Sequence, residues 1–141
     1  MAVVGAPPVI VFAESMSAKS SKIVDADSVF ITLRFADGSN GAIAYLSEGD
    51  KALPKERVEI FGAGKSFVLD DYRRTTLYKD GREEQVTLKT QDKGQQAQVR
   101  AVCASVLEGS AAPISLEELA ATSRATFRVL DSLRERRPFE L

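Results

Sequence analysis

The chain has 141 residues, 44% of them hydrophobic, which is enough for one domain with its own core. Its 19 basic and 20 acidic residues leave a formal net charge of −1, which argues against nucleic acid or an acidic membrane as a partner. Histidine is absent, so the chain cannot by itself build a Ser-His-Asp triad, a Cys-His pair or a zinc-histidine centre.

The same features indicate where the protein works. The longest apolar run near the amino terminus, 9–13, is far shorter than the roughly 20 residues that cross a bilayer, and no basic stretch precedes it. The single cysteine, Cys103, cannot form an internal disulfide, which suits a reducing compartment. We therefore expect one soluble, cytoplasmic domain over residues 1–141, with no metal site.

The first two thirds of the chain have the period of antiparallel strands. In segment 28–35 apolar residues at every second position alternate with a mixed set that includes Phe30. Asp37-Gly38 then predicts a tight hairpin turn, because glycine tolerates positive φ. The pattern predicts about six or seven strands, over 9–14, 28–35, 41–46, 57–61, 66–70, 75–78 and 83–88.

Beyond residue 90 the period becomes helical. A first helix is expected over Asp92 to Glu108, with Gly109 as a left-handed cap at its end. Its apolar stripe consists of Val99, Val102, Cys103, Val106 and Leu107. Cys103 is therefore interpreted as a buried structural thiol and not as a nucleophile.

A second helix is expected from Ser115, which forms a capping box with Glu118. The helix ends in basic residues before Pro138, which suits the negative end of the helix dipole. Its predicted buried stripe consists of Leu116, Leu119, Ala120, Phe127 and Leu130.

Strands followed by two helices predict an α+β fold: a mainly antiparallel, open-faced sheet of about six strands, with both C-terminal helices packed on one face. The other face, carrying Phe30 or its alternates, is then uncovered, and an open sheet of that size is normally hidden by another subunit or domain. The alternative is a face polar enough to be solvated, because alternation does not assign the two faces absolutely.

One glycine-rich string invites a phosphate-loop interpretation. Gly62-Ala63-Gly64-Lys65-Ser66 would need a further glycine five positions before Gly64, where the chain has Glu59. The spacing of a dinucleotide-binding loop fails as well, because Phe67 occupies its third glycine position and a strand follows. The string is a turn between strands.

Two groups of residues are candidates for contact with a small substrate. The first is a set of cations near the central strands: Lys51, Lys55, Arg57, Arg73 and Arg74. Acidic residues are interleaved with them, so solvated charges and cross-strand pairs are the alternative. The second is Asp92-Lys93-Gly94, where a ligand could approach the start of a helix, with a simple N-cap as the alternative. Lys55, Arg57 and Lys93 are the predicted substrate-side residues.

Several strings, taken in order, resemble the C-terminal domain of the glucose-fructose oxidoreductase and inositol dehydrogenase family. They are Asp27-Ser28-Val29-Phe30-Ile31-Thr32-Leu33-Arg34-Phe35-Ala36-Asp37-Gly38-Ser39, Glu56-Arg57-Val58-Glu59-Ile60-Phe61-Gly62, Val68-Leu69-Asp70-Asp71, Asp92-Lys93-Gly94 and Pro113-Ile114-Ser115-Leu116-Glu117-Glu118. The resemblance covers about residues 9–138.

The resemblance implies a two-domain enzyme in which a separate Rossmann domain binds NAD or NADP and this domain closes the substrate site. The family's catalytic Glu-Lys-Pro motif lies in that other domain, and Leu53-Pro54-Lys55 is not a counterpart. Relatives tend to have histidine after Asp-Lys-Gly, where this chain has Gln95, which leaves the role of that position open.

These observations lead to one hypothesis and one alternative. The chain is expected to be inactive alone and to serve an NAD(P)-dependent oxidoreductase of sugars, polyols or related substrates. It would shape the substrate pocket, pack against the nucleotide-binding domain and form a homo-oligomer through its open sheet face. No catalytic, cofactor-binding or metal-binding residue is assigned within it. The alternative is a free-standing α+β module that binds a small ligand or a protein.

Overall fold

The computed structural model describes residues 3–16 and 27–141. The chain divides into two compact units, one formed by Met1–Gly49 with Ala111–Leu141 and the other by Asp50–Ser110. The elements are β1 (Pro8–Ser15), β2 (Val29–Phe35), β3 (Asn40–Tyr45), β4 (Arg57–Gly62), β5 (Lys65–Asp70), β6 (Arg74–Lys79), β7 (Arg82–Thr87), α1 (Gln95–Glu108), α2 (Leu116–Glu135) and β8 (Phe139–Glu140).

The α+β class is confirmed, but the single sheet of about six strands is wrong. The structure has two antiparallel sheets of four strands each, with orders β3-β2-β1-β8 and β4-β5-β6-β7. All seven predicted strands are present, and the eighth, β8, is a two-residue strand with no alternation to detect. Periodicity identifies strands but does not identify which strands pair, and that is why the sheet count was wrong.

The first unit is a sheet with one face covered by α2. Antiparallel register places Val11, Ala13 and Val29 on one side of this sheet, and these three are buried. The opposite side carries Phe12 and Phe30, and Phe30 is 47% exposed. The two sides therefore differ: one is core, and the other is open in the part of the chain that the structure describes.

The side of α2 that faces β1 is opposite to the one predicted. Its least exposed side carries the small residues Ala121, Ala125 and Ser132 together with Val129 and Leu133, and Ser132 is fully buried. The predicted buried stripe lies on the other side of the helix, where Leu119 and Phe127 are exposed. Small side chains allow a helix backbone to approach a sheet closely, and a pattern of large apolar residues does not reveal this. The predicted capping box is confirmed, with the Glu118 amide donating to Ser115 Oγ over 3.1 Å.

Ser132 joins three segments of the first unit. Its hydroxyl accepts a hydrogen bond from the Ala13 amide in β1 at 2.9 Å and donates one to the Arg137 carbonyl at 2.7 Å. Among the residues that the structure describes, β8 pairs with β1 only at Ile10 and Val11, and this edge of β1 has no strand partner beyond Val11. The Ser132 hydroxyl accepts the hydrogen bond of the Ala13 amide at this edge, where a neighbouring strand would otherwise supply a carbonyl.

The second unit is a four-stranded meander followed by α1. Its tight hairpin β4-β5 turns through Ala63 and Gly64, whose φ values of 49° and 71° are both positive, as a type I′ turn requires. Hairpin β6-β7 turns in the same way through Asp80-Gly81. One face of the meander is largely apolar, and register places on it Val58, Ile60, Phe67, Leu69 and Leu77.

Two expectations about α1 are corrected. The helix begins at Gln95, three residues later than predicted. Gly94 is its N-cap and lies in the left-handed region, at φ 76°. At the other end Gly109 is the left-handed cap, as predicted. Its predicted apolar stripe is not a core stripe, because Val106 is 75% exposed, and Cys103 is exposed as well. A helical period shows that residues share a side but not that the side is covered. Neither helix has an apolar stretch long enough to cross a bilayer, among the residues described.

Candidate functional site

The second unit gathers polar side chains at the end of its sheet from which α1 departs. We call this group the Lys93 cluster: Glu56, Asp71, Tyr72, Gln91 and Lys93. Glu56 directly precedes β4, and the other members come from the β5-β6 turn and from the segment that leads into α1. The cluster is therefore built within one unit by residues that are far apart in the sequence.

The backbone of the β5-β6 turn holds the cluster together. Asp71 and Tyr72 both have φ of 51°, which turns the chain sharply after β5. The Asp71 amide donates to the Glu56 carbonyl at 2.7 Å, and the Asp92 amide donates to the Tyr72 carbonyl at 3.0 Å. Two consecutive non-glycine residues in the left-handed region are strained, and these hydrogen bonds offset part of that cost.

Lys93 is the centre of the cluster. Its Nζ lies 2.5 Å from Glu56 Oε1 and 5.7 Å from the centroid of the Tyr72 ring, so the ammonium has an anion and an aromatic face as neighbours. Gln91 Nε2 donates to Asp71 Oδ1 at 2.9 Å beside this pair. The side chains of Lys93 and Glu56 are 36% and 32% exposed, so the pair is reachable from solvent.

The electrostatics fix the charge states of the pair. The hydrogen bond from Lys93 lowers the pKa of Glu56 below its ordinary value, and the same bond raises the pKa of Lys93. Both groups are charged at neutral pH, so Lys93 cannot serve there as a proton acceptor. An ammonium has three donors and gives one to Glu56. The arrangement can orient a hydroxyl or carboxylate of a small ligand, and Lys93 cannot remove a proton from it.

The three predicted substrate-side residues are not brought together as a set. Lys55 acts on the cluster through its charge, which lowers the pKa of Glu56. Arg57 is the first residue of β4, and its guanidinium binds Glu59 Oε1, two positions along the same strand, at 2.7 and 2.8 Å. This hydrogen bond with Glu59 raises the pKa of Arg57. Arg57 is thus paired along its own strand, and neither a shared substrate site nor a cross-strand pair describes it.

Sequence reasoning missed four members of the cluster: Glu56, Asp71, Tyr72 and Gln91. Glu56 and Asp71 are among the interleaved acidic residues, for which the sequence predicts solvated charges or cross-strand pairs. Nothing in a separation of 37 residues signals that Glu56 meets Lys93. The N-cap alternative for Asp92-Lys93-Gly94 is confirmed. Asp92 Oδ1 accepts from the Gly94 amide at 2.8 Å, and Gly94 itself occupies the cap.

A second polar feature lies at the other end of the same sheet. The tips of the two tight hairpins border a shallow depression of about 380 Å³, lined among others by Ser66, Tyr78 and Glu83. Strand β5 separates it from the Lys93 cluster by about 20 Å, at roughly 3.3 Å per residue. In the described part of the chain no group of histidine, cysteine or acidic side chains could hold a metal ion.

Comparison with solved structures identifies the fold. The aldose-aldose oxidoreductase from Caulobacter crescentus matches with a TM-score of 0.74 and 20% identity over 99% of this chain and 43% of its own. The predicted resemblance is confirmed in the fold. A UDP-N-acetylglucosamine 3-dehydrogenase from Acidithiobacillus ferrooxidans matches at 0.72 and 19% identity, over 93% of this chain and 42% of its own.

A third match is an oxidoreductase from Agrobacterium radiobacter in complex with NAD+, L-tartaric acid and magnesium, at a TM-score of 0.76 and 13% identity over 95% of this chain and 43% of its own. The chain thus spans less than half the length of these solved proteins. No protein-family description matches the sequence, and no curated protein matches it.

Proposed function

We propose that this chain is the C-terminal, substrate-side domain of an NAD- or NADP-dependent oxidoreductase that acts on a sugar, a polyol or a related compound. The observation that carries the proposal is the agreement of fold over 99% of the chain with an aldose-aldose oxidoreductase. The cofactor would be bound by a separate nucleotide-binding domain, and the solved Agrobacterium protein is in complex with NAD+. A cytoplasmic location is part of the proposal and is supported by the single cysteine.

The chemistry of the Lys93 cluster supports a positioning role for this domain. A cation held beside a carboxylate and an aromatic ring offers a donor, an acceptor and an apolar face, the three kinds of contact that a polyol uses. Lys93 stays protonated at neutral pH, so it would hold the substrate and would not accept its proton. Hydride transfer would take place at the cofactor of the nucleotide-binding domain, and this domain by itself would be inactive.

Assembly is the second part of the proposed role. The side of the first sheet opposite α2 carries a group of apolar residues, which we call the open face: Ile10, Phe12, Phe30, Ala42 and Ala44. Glu14, Thr32 and Arg34 lie on the same side of the sheet. Phe30 at its centre is 47% exposed. Such a surface supports a homo-oligomer in which two open faces pack together around a two-fold axis.

The test is an assay of two products of the same reading frame: the 141-residue chain, and the chain extended upstream through a nucleotide-binding half. With NAD+ and NADP+ and a panel of aldoses and polyols, the extended product should reduce cofactor and the chain alone should not. Lys93→Met in the extended product should raise KM for the substrate more than it lowers kcat. Turnover by the chain alone, or a frame with no nucleotide-binding segment, would contradict the proposal.

A further inference from the structure

The second sheet carries a row of three cations at the hairpin ends of its strands. Lys65 in β5 pairs directly with Lys79 in β6, and Lys79 pairs directly with Arg82 in β7. Residues that oppose each other in an antiparallel sheet lie on the same face, with Cβ atoms about 5 Å apart. We call these three residues the cation row, which spans about 10 Å across two strand spacings. The row lies wholly within the second unit, so β5, β6 and β7 by themselves determine its geometry.

The cation row is short of negative charge. In the described part of the chain its members make one ion pair, between Lys79 Nζ and Asp80 Oδ2 at 3.8 Å, and both of these side chains are exposed. Glu84 lies on the same face of β7, but it stands opposite Leu77 and not opposite a cation. Three positive charges thus have one carboxylate within ion-pair distance, and like charges directly opposite each other destabilise a sheet. An anion bound at the row would remove this repulsion.

The surface beside the row has a shape that suits a small anion. Lys79 and Arg82 line the shallow depression of about 380 Å³ at the two hairpin tips. Lys65 neighbours Lys79 on the same face, and its long, flexible side chain can reach a ligand held there. Glu83 borders the depression as well, but it follows Arg82 in β7, so its side chain lies on the opposite face of the sheet. The carboxylate that an anion would meet beside the row is therefore that of Asp80.

A phosphate group matches the charge of this site. Three cations and the single carboxylate of Asp80 leave about two positive charges, and a phosphate monoester carries about 1.5 to 2 negative charges at neutral pH. Its three free oxygens allow each cation of the row to donate to a different oxygen. A carboxylate has one charge and two oxygens, so it would leave part of the row unmatched.

We propose that the cation row binds the phosphate group of a phosphate monoester or of inorganic phosphate. The row and the Lys93 cluster lie at opposite ends of the same sheet, about 20 Å apart along β5 at roughly 3.3 Å per residue. A monosaccharide phosphate is shorter than that distance, so one such molecule could not occupy both places. The phosphate site is therefore additional to the substrate contacts proposed for the Lys93 cluster, and it does not depend on the oxidoreductase activity.

The test is an NMR titration of the 141-residue chain at low salt, with inorganic phosphate and glucose 6-phosphate as separate probes. Both should shift the backbone amide signals of 63–66 and 78–83 along a saturable curve, and leave those of the Lys93 cluster in place. Added sodium chloride should weaken binding, because salt screens exposed charges. Tighter binding of glucose 6-phosphate assigns the site to an organic phosphate, and equal affinity assigns it to phosphate itself.

Matched variants distinguish the row from cationic charge in general. Lys79→Gln and Arg82→Gln should each raise the dissociation constant about tenfold, the loss expected for one hydrogen bond to a charged group. Lys51→Gln removes the same charge from the segment between β3 and β4 and should change the dissociation constant by less than about twofold. The inference is overturned if no saturable shift occurs at the hairpin tips, or if all three variants bind phosphate as tightly as the original chain.

Discussion

Replacing Ser132 with alanine should destabilise the first unit by about 2 kcal/mol. The hydroxyl is fully buried and accepts a hydrogen bond from the Ala13 amide at 2.9 Å. Alanine would leave that buried donor without a partner, at a cost of about 1–3 kcal/mol. The lost bond to the Arg137 carbonyl adds less, because Arg137 is exposed and water can replace the serine there. Alanine has a higher helix propensity than serine, which offsets at most about 0.5 kcal/mol of this loss of stability.

The measurement is urea unfolding followed by far-ultraviolet circular dichroism. The midpoint should fall at unchanged slope, and the melting temperature should drop by about 8 °C, at roughly 4 °C per kcal/mol for a chain of this size. Ser123→Ala is the matched control, since the same change on the exposed side of the same helix should leave stability within about 0.5 kcal/mol of the original. A Ser132→Ala chain as stable as the control would refute the role given to this hydroxyl.

Three further predictions concern charge, assembly and a turn. In Lys93→Gln the pKa of Glu56, measured by carboxyl NMR, should rise toward its ordinary value. In the original chain the stabilisation from the Lys93–Glu56 pair should be present at neutral pH and should be lost as the pH falls through the lowered pKa of Glu56. Phe30→Asp should shift the self-association of the chain to monomer in sedimentation, whereas Phe127→Asp should not. Ala63→Gly should raise the unfolding free energy by about 1 kcal/mol in chemical denaturation, because Ala63 has φ of 49°.

Each of these has an outcome that contradicts it. An unchanged Glu56 titration in Lys93→Gln would mean that the pair does not form in solution. A dimer that persists in Phe30→Asp would mean that the open face is not the dimer interface. The control for the turn is Gly64→Ala, which should lower stability because Gly64 has φ of 71°. If both turn variants change stability in the same direction, the strain argument fails.

Features that depend on neighbouring residues could be predicted from the sequence. The alternation in 28–35, the Asp37-Gly38 turn and the Ser115–Glu118 capping box each depend on residues a few positions apart, and the structure has all three. The absence of histidine limited the chemistry in the same direct way. Order and spacing of short strings were enough to indicate the fold resemblance that comparison with solved structures confirmed.

Contacts between residues far apart in the sequence could not be predicted from local patterns. The bond between Ala13 and Ser132 joins residues 119 positions apart, and Lys93 meets Glu56 across 37 positions. The pairing of β8 with β1 is of this kind as well.

The side of α2 that is buried shows the physical reason most clearly. The sequence by itself determined that α2 is a helix, where it begins and which residues share each of its sides. It did not determine which side meets the sheet, because the period of a helix is the same whether large or small residues are buried. Only the tertiary structure decided that, by placing Ser132 against β1 and leaving Phe127 exposed. That choice depends on how closely two backbones approach, which is a property of the packed chain and of no single segment of it.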